Sequence, residues 1–232
     1  MIEAVSVVVP AHDEQELIPA SLSALVRAAA HPALERISVR IAVVLDRCSD
    51  DTGELAAHGL RQRDLIVERH DGNVGAARRA GFVDVLAAES GRDRSAVWLA
   101  TTDADSCVPA DWLARQLALA NSGADAIAGT IGVEDWHDQP SRVRAIFASR
   151  YALRPGEVEH RHVHGANLGV RASIYEQVGG IESRQLSEDH ALIEAVEQIP
   201  ATIVRPRTLR VITSARRESR ASGGFSDYLR RL

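Results

Sequence analysis

Apolar runs and amphipathic segments alternate along the first 132 residues. Five runs of mostly apolar side chains predict buried strands, at residues 5–9, 39–45, 65–68, 98–102 and 125–132. Helical spacing and helix-start signals between them predict helices at 17–31, 76–89 and 109–122, with a short helix that ends at residue 59. Because strands and helices alternate, the sequence predicts an α/β fold with a mostly parallel sheet, helices on both faces and right-handed crossovers.

The rest of the chain follows a less regular pattern. The sequence predicts helices at 141–154, up to residue 178 and from 187 to 198, then a polar segment at 213–225 and a last amphipathic helix. Ser187 followed by two acids is typical of a helix start, which predicts Ser187 as an N-cap. At 232 residues the chain is long enough to bury one substantial core, and we expect a single domain.

Composition and charge restrict the class of protein. With 27 basic and 32 acidic residues the formal net charge is −5, which argues against non-specific binding of nucleic acid. The sequence has no run of about 18 apolar residues and begins with a strand rather than a signal peptide, so we expect a cytoplasmic protein without a transmembrane segment. Cys48 and Cys107 are too few for a disulfide framework, and we expect both to be reduced.

Two carboxylates one residue apart follow the fourth predicted strand. Asp103 and Asp105 would lie at its carboxyl end, where open α/β sheets bind ligands. Carboxylate oxygens are ligands for Mg²⁺ or Mn²⁺, so the pair could hold a cation with a diphosphate; the alternative is a turn or a helix cap. The Gly-rich motifs of dinucleotide-binding proteins and phosphate-loop NTPases are absent, which argues against dehydrogenases, methyltransferases and NTPases.

Three histidines alternate in the polar stretch 156–164. At period two, His160, His162 and His164 would face one side of an extended segment and could bind zinc. The alternative, which we favour, is a solvated loop.

Three segments of the first half match the motifs of one enzyme family. Residues 8–14 are similar to an opening strand and a Pro-x-x-Asn-Glu loop, with Asp13 in place of Asn. Residues 45–52 are similar to Asp-Asp-Gly-Ser-x-Asp-x-Thr, in which the second acid, Asp46, is retained. Residues 73–81 are similar to Asn-x-Gly-x-x-x-Ala-Arg-Asn-x-Gly.

Two segments of the second half match the same family. Residues 165–171, with the Val-Gly-Gly-Ile sequence at 178–181, are similar to its acceptor-side segment, and residues 188–189 to its Glu-Asp motif. Together the five segments resemble the nucleotide-diphospho-sugar glycosyltransferases of family 2, which have the GT-A fold with a Rossmann-like central sheet. The resemblance implies one domain over 1–232, with a nucleotide-sugar-binding half at 1–132 and an acceptor-binding half at 133–232.

The resemblance also implies a reaction. It would be an inverting transfer of a sugar from a UDP-, GDP- or dTDP-sugar to an acceptor hydroxyl, with Mg²⁺ or Mn²⁺ held by Asp105 and Asp103. Asp189 would be the general base, and Glu188 would orient the acceptor or support Asp189. The positions implied for binding the donor or acceptor are Pro10, His12, Glu14, Asp46, Asn73, Arg78, Asp103, Asn167 and Arg216.

Some of these positions have two interpretations. His12 could stack on the base or cap a helix, and Asn167 could bond the acceptor or shape a turn. Arg78 is the first candidate to line the diphosphate path. Further candidates lie in the polar segment 213–225, which could close as a lid over the donor; they are Arg216, Arg217 and Arg220.

Other functions remain open at this stage. A nucleotidyltransferase would also hold a metal and a nucleotide, but the basic Gly-rich loop that normally follows its first strand is absent. A catalytically silent sugar-nucleotide-binding protein, or a retaining transferase with the same fold, is a further alternative. The acceptor, any peripheral contact with a membrane and the oligomeric state are not predicted.

Overall fold

The computed structural model describes residues 1–152, 159–217 and 224–232. Within them the strands are β1 Ala4–Ala11, β2 Ser38–Asp46, β3 Leu65–Arg69, β4 Val97–Thr101, β5 Ser106–Cys107, β6 Ala126–Ala128, β7 Thr130–Gly132, β8 Leu168–Arg171, β9 Ile203–Val204 and β10 Arg210–Thr213. The α-helices are α1 Ile18–Ala29, α2 Thr52–Gly59, α3 Val74–Ala88, α4 Trp112–Asn121, α5 Ser141–Tyr151, α6 Ala172–Gln177, α7 Glu188–Glu197 and α8 Phe225–Arg230. Single 3-10 turns precede β2, β4 and β8.

Seven strands form the central sheet, in the order β3-β2-β1-β4-β8-β6-β9. β8 runs antiparallel to its neighbours β4 and β6, and the other neighbouring pairs are parallel. The predicted α/β fold with a mostly parallel sheet is therefore confirmed.

Helices cover both faces of this sheet. Successive residues of a strand point to opposite faces, so Val7 and Val9 of β1 pack with α1 and α4, while Val8 packs in the cluster formed with α3, α6 and α7. A strand covered on both sides needs apolar residues at every position, which explains the continuous apolar runs of the first half.

A second, three-stranded sheet has the order β5-β10-β7. The strand predicted at 125–132 is wrong as a single element, since β6 joins the central sheet and β7 the second one. The break is at Gly129, whose N–H donates to Asn167 O at 2.9 Å. A Cβ at Gly129 would lie 2.3 Å from Asn167 Nδ2, so only glycine fits this crossing point.

Other elements also differ from the sequence-based expectation. The short strands β8, β9 and β10 were not predicted, because stretches of two to four residues are too short to show a period. The N-cap prediction for Ser187 is wrong: its φ is +60°, in the left-handed region, and its side chain makes no capping hydrogen bond. The helix predicted at 141–154 extends through Tyr151 as α5, and residues 153–154 lie outside the described part of the chain.

The last helix packs on α5 in a small core of its own. Phe147 of α5 and Leu229 of α8 are buried there, with Phe225 and Tyr228 packed against them. The predicted C-terminal helix is therefore confirmed. None of the helices in the described ranges is long and apolar enough to cross a bilayer.

Candidate active site

The carboxyl ends of β1, β2 and β4 lie side by side at one edge of the central sheet. Glu14 follows β1, Asp46 ends β2, and Asp103 and Asp105 follow β4. Because parallel strands end at the same edge, residues far apart in the chain are gathered there.

Asp105 lies where this edge meets the second sheet. Its Oδ1 accepts hydrogen bonds from Ser106 Oγ at 3.1 Å and Thr213 Oγ1 at 3.3 Å, and its side chain is 16% exposed. Burial and the neighbouring Asp103 carboxylate raise the pKa of Asp105 to about 7. A divalent cation would offset both effects, so these two carboxylates fit Mg²⁺ or Mn²⁺.

Arg216 brings the C-terminal part of the chain to the same carboxylates. Its Nη1 and Nη2 each donate to a carboxylate oxygen of Glu14 at 2.5 Å, and Nη2 lies 3.3 Å from Oδ2 of Asp105. Glu14 is buried, with 6% of its surface exposed. This two-pronged ion pair fixes a guanidinium beside Asp105.

Arg78 links Asp103 to the start of α7. It is only 3% exposed; Nη2 pairs with Asp103, Nη1 pairs with Glu188, and Nε donates to Thr101 Oγ1 at 3.2 Å. All three nitrogens are engaged within the protein. Arg78 therefore holds two carboxylates in place, and its contact with a diphosphate stays a prediction.

Asp189 lies in the first turn of α7, next to the buried Glu188. Its Oδ2 accepts a hydrogen bond from Gly165 N at 2.7 Å and its Oδ1 one from His190 N at 2.8 Å. Asp189 is half-buried, whereas Glu188 is 4% exposed and paired with Arg78. Asp189 is thus oriented by backbone N–H groups and keeps a partly open side.

The family model described as glycosyl transferase family 2 matches residues 6–179 of this chain. The chain belongs to this family. The resemblance inferred from the motifs is therefore confirmed, and it covers the strand-end loops and the segment around residue 165. Comparison with curated proteins found no match.

Solved structures of other proteins share this fold. S. aureus TarS 1–349 in complex with UDP-GlcNAc is 14% identical, with a TM-score of 0.67, over 96% of this chain and 61% of that chain. Mannosyltransferase PcManGT from Pyrobaculum calidifontis in complex with GDP-Man and Mn²⁺ is 17% identical, with a TM-score of 0.68, over 93% of this chain and 58% of that chain. This chain thus spans less than two thirds of either. The likeness confirms the predicted GT-A fold.

A third structure extends the comparison. Glucosyl-3-phosphoglycerate synthase from Mycobacterium tuberculosis, in complex with Mn²⁺, UDP and glucosyl-3-phosphoglycerate, is 14% identical with a TM-score of 0.57, over 94% of this chain and 73% of that chain.

The family motifs after β1 and β2 hold the loops of the edge together. The Asp46 carboxylate accepts hydrogen bonds from Gly72 N at 2.9 Å and Asn73 N at 2.8 Å. Asn73 caps α3, since its Oδ1 accepts from Ala76 N at 3.0 Å. His12 Nδ1 lies 2.7 Å from the Asp46 carbonyl oxygen, which is an acceptor, so Nδ1 donates a hydrogen bond to it.

The first loop contributes two further positions. Pro10 is part of β1, in register with Val44 of β2, and is half-buried. Glu14 N donates to Thr52 Oγ1 at 2.7 Å, which ties the loop after β1 to the start of α2. The cap interpretation of His12 is not seen: its ring nitrogen bonds a strand carbonyl instead of a helix N-terminus.

Asn167 is fully buried and has no exposed surface. Its Nδ2 donates to Thr130 O at 2.8 Å and Leu209 O at 2.9 Å, and its Oδ1 accepts from Trp112 Nε1 at 2.9 Å. Because both N–H groups and the carbonyl are used within the protein, Asn167 joins the two sheets. That Asn167 also bonds an acceptor stays a prediction.

The three alternating histidines do stack on one side of their segment, with ring centroids 5.9 Å apart at each step. The favoured solvated loop is wrong, because His160 is 4% exposed and His164 Nε2 bonds Tyr151 OH at 2.8 Å. Burial lowers the pKa of His160 to about 4 and of His164 to about 3. Among the described residues, no group of three possible metal ligands includes these histidines, so the zinc interpretation gains no support.

A different trio of possible ligand atoms lies in the loops after β1 and β2. Asp13, Cys48 and Asp50 place one ligand atom each within 4.8 Å of the others. Asp13 is held by Ser49, whose backbone N–H donates to its Oδ1 at 2.7 Å. These internal hydrogen bonds account for the cluster without a ligand.

Sequence reasoning missed Thr213 and Gly165 as parts of the site. Thr213 bonds Asp105, and Gly165 bonds Asp189 and leaves room for Arg78. Neither contact joins neighbours in sequence: Thr213 belongs to none of the family motifs, and Gly165 lies in the motif at 165–171 with no role assigned to it there. Of the further arginine candidates, Arg217 is described and exposed, whereas Arg220 lies outside the described residues.

Proposed function

We propose that this chain is an inverting glycosyltransferase that moves a sugar from a nucleoside-diphosphate sugar to an acceptor hydroxyl. The observation that carries the proposal is a continuous set of paired charges: Asp105 contacts Arg216, and Arg78 bridges Asp103 and Glu188, next to Asp189. This set spans the edge of a family 2 fold. The similar proteins crystallised with UDP-GlcNAc or with GDP-Man and Mn²⁺ support a donor of this class.

Asp105 and Asp103 would hold Mg²⁺ or Mn²⁺, which when bound neutralises charge on the leaving diphosphate. Ser106 and Thr213 orient the Asp105 carboxylate by hydrogen bonds. Arg216 provides a second positive group beside it, and would offer two N–H donors to diphosphate oxygens if it leaves Glu14.

Asp189 is the proposed general base. As the acceptor oxygen forms its bond to the anomeric carbon, the carbon–oxygen bond to the diphosphate breaks and the hydroxyl proton passes to Asp189. The N–H groups of Gly165 and His190 fix the carboxylate, so a free lone pair can face the acceptor. Glu188 supports this arrangement through its pair with Arg78 and does not accept the proton itself.

The two halves of the proposed domain share the site. Residues 1–132 would bind the donor and residues 133–232 the acceptor. The second half also reaches the donor side, because Thr213 and Arg216 contact Asp105.

Calorimetric titration of the full chain tests the donor site. UDP, GDP and dTDP are each titrated with and without Mn²⁺, into the wild type and Asp105→Ala. We expect one nucleotide to bind with a dependence on Mn²⁺, and Asp105→Ala to weaken that binding by more than about tenfold.

The matched control is Asp111→Ala, an exposed acid near the start of α4 whose side chain makes no capping bond. It should bind as the wild type does. If no nucleotide binds the folded wild type in the presence of Mn²⁺, the proposed donor site is wrong.

A further inference from the structure

A cavity of about 730 Å³ lies along α7. One wall is a face of α7, on which His190, Ile193, Glu194 and Glu197 recur at helical spacing. The rest of the lining comes from residues 159–163 and from Arg205, which follows β9. His190, which lines the cavity, directly follows Asp189 in the chain.

Two side chains that line this cavity have buried polar atoms without hydrogen-bond partners among the described residues. His160 is 4% exposed, and neither of its ring nitrogens has a hydrogen-bond partner among the described residues. Arg205, which follows β9, donates from Nη2 to Glu197 Oε1 at 2.7 Å, but its buried Nη1 has no partner there. Buried polar groups are normally hydrogen bonded, so both side chains lack a partner that a bound molecule would supply.

The charges of the lining select the chemistry of that molecule. Among the residues that the structure describes, three glutamates and two arginines line the cavity, an excess of one negative charge that disfavours an anion. His160 is neutral at pH 7, because burial and the nearby His162 and Arg205 lower its pKa to about 4. A neutral imidazole has one N–H donor and one acceptor nitrogen, whereas Arg205 Nη1 only donates.

Hydroxyl groups meet these requirements. A hydroxyl accepts from Arg205 Nη1 or from the imidazole N–H of His160, and donates to the other imidazole nitrogen or to a glutamate. We propose that the cavity along α7 binds an uncharged, polyhydroxylated acceptor through His160 and Arg205. This assignment of the acceptor class rests on the proposed function.

Ligand-observed saturation-transfer NMR on the full chain tests the proposal. The probes are methyl α-D-glucopyranoside, methyl α-D-mannopyranoside and maltotriose, with inorganic phosphate compared by competition. Glu194→Trp fills the cavity from its exposed rim, and His160→Phe removes both nitrogens while it keeps a ring. Glu54→Trp, an exposed residue of α2, is the matched control.

We expect at least one glycoside to bind the wild type and Glu54→Trp, and to bind Glu194→Trp and His160→Phe more weakly by about fivefold or more. Phosphate should not displace it. If His160→Phe fails to fold, the surface variant Glu194→Trp decides alone. The proposal is overturned if no glycoside binds, if the Glu194→Trp variant binds as well as the wild type, or if phosphate competes.

Nucleotide titrations on the same samples separate this proposal from the proposed function. Wild type that binds nucleotide but no glycoside contradicts only the acceptor assignment. Wild type that binds glycoside in the cavity but no nucleotide contradicts only the donor site.

Discussion

A single buried arginine, Arg78, connects Asp103 to Glu188, next to the proposed base. Burying the Arg78 guanidinium costs several kcal/mol, which its pairs with Asp103 and Glu188 offset. Its neighbour must be small: a Cβ at Gly165 would lie 2.5 Å from Arg78 Nη2. The glycine of this family segment is therefore explained by the space that the guanidinium occupies.

Replacing Arg78 should lower the stability of the folded protein. Arg78→Met leaves the Glu188 carboxylate buried without its cation, and we expect the free energy of unfolding to fall by about 3–5 kcal/mol in urea titrations. Arg69→Met is the control, since Arg69 pairs with Asp84 at 3.6 Å on the exposed surface and should cost less than about 1 kcal/mol. Equal losses in the two variants would show that the buried pairs do not hold the site together.

The proposed base should affect turnover rather than donor binding. Asp189→Asn keeps the side-chain size but cannot take a proton, so kcat should fall by about 10²–10⁴-fold. The nucleotide affinity, measured by calorimetry, should stay within about twofold of the wild type. Asp111→Asn serves as the exposed control in both assays. A variant with wild-type kcat would exclude Asp189 as the base.

At the scale of elements, α3 carries much of the geometry of the edge. Its start is set by the Asn73 cap, which is why the helix begins at Val74 rather than at the predicted residue 76. Its middle packs against β1 and β2 through Gly81. The close approach of α3 to the sheet keeps Arg78 within reach of both carboxylates.

An alanine at Gly81 should push this helix away from the sheet. Its Cβ would lie 2.5 Å from Val8 Cγ1 and 2.8 Å from Val44 Cγ2, and we expect a loss of about 1–3 kcal/mol in unfolding free energy. Gly91→Ala meets nothing within 4 Å and should be neutral or stabilising by up to about 1 kcal/mol. Thermal and urea unfolding of the two variants side by side measure the difference. If the Gly81→Ala protein is as stable as Gly91→Ala, the side chains of β1 and β2 move aside for the added Cβ without a loss of stability.

At the scale of the whole molecule, the second sheet joins the two ends of the site. β10 pairs with β5, directly after Asp105, and with β7. It thereby places Thr213 at Asp105 and leads the chain to Arg216 at Glu14. The C-terminal part of the chain thus completes a carboxylate cluster that begins at residue 14.

The buried histidines should make the fold sensitive to acid. The folded pKa values of His160 and His164, about 4 and about 3, lie below the ordinary value of about 6.5. Between pH 6.5 and 4 the unfolded chain therefore binds more protons, so stability falls as pH falls through this window and is unaffected by these groups above it.

We expect the two histidines together to remove about 4 kcal/mol of unfolding free energy between pH 7 and pH 5. Urea titrations at several pH values measure this slope for the wild type, for the double variant His160→Gln/His164→Gln, and for the exposed control His70→Gln. The double variant should have a shallower slope, and the control should keep the slope of the wild type. A double variant with an unchanged slope would assign the acid sensitivity to other groups.

The strand-end carboxylates could be predicted from the sequence. Asp46, Asp103 and Asp105 each end or follow an apolar run, and the alternation of strands with helices implies parallel strands whose carboxyl ends share one edge. The family motifs added Asp189 by resemblance. These features depend on local periodicity and on order along the chain, which the sequence carries directly.

The tertiary structure alone decided how the side chains are used. Arg78 and Asn167 match family motifs, yet their polar atoms are engaged inside the protein. The pair of Arg216 with Glu14 joins residues 202 positions apart, and Thr213 reaches Asp105 across 108. Such contacts depend on the path of β10 and on packing between the two sheets. The sequence located the site through its strand-end carboxylates. Because no short-range pattern encodes the path of β10, only the folded chain showed which side chains are engaged within the protein and which remain open to a ligand.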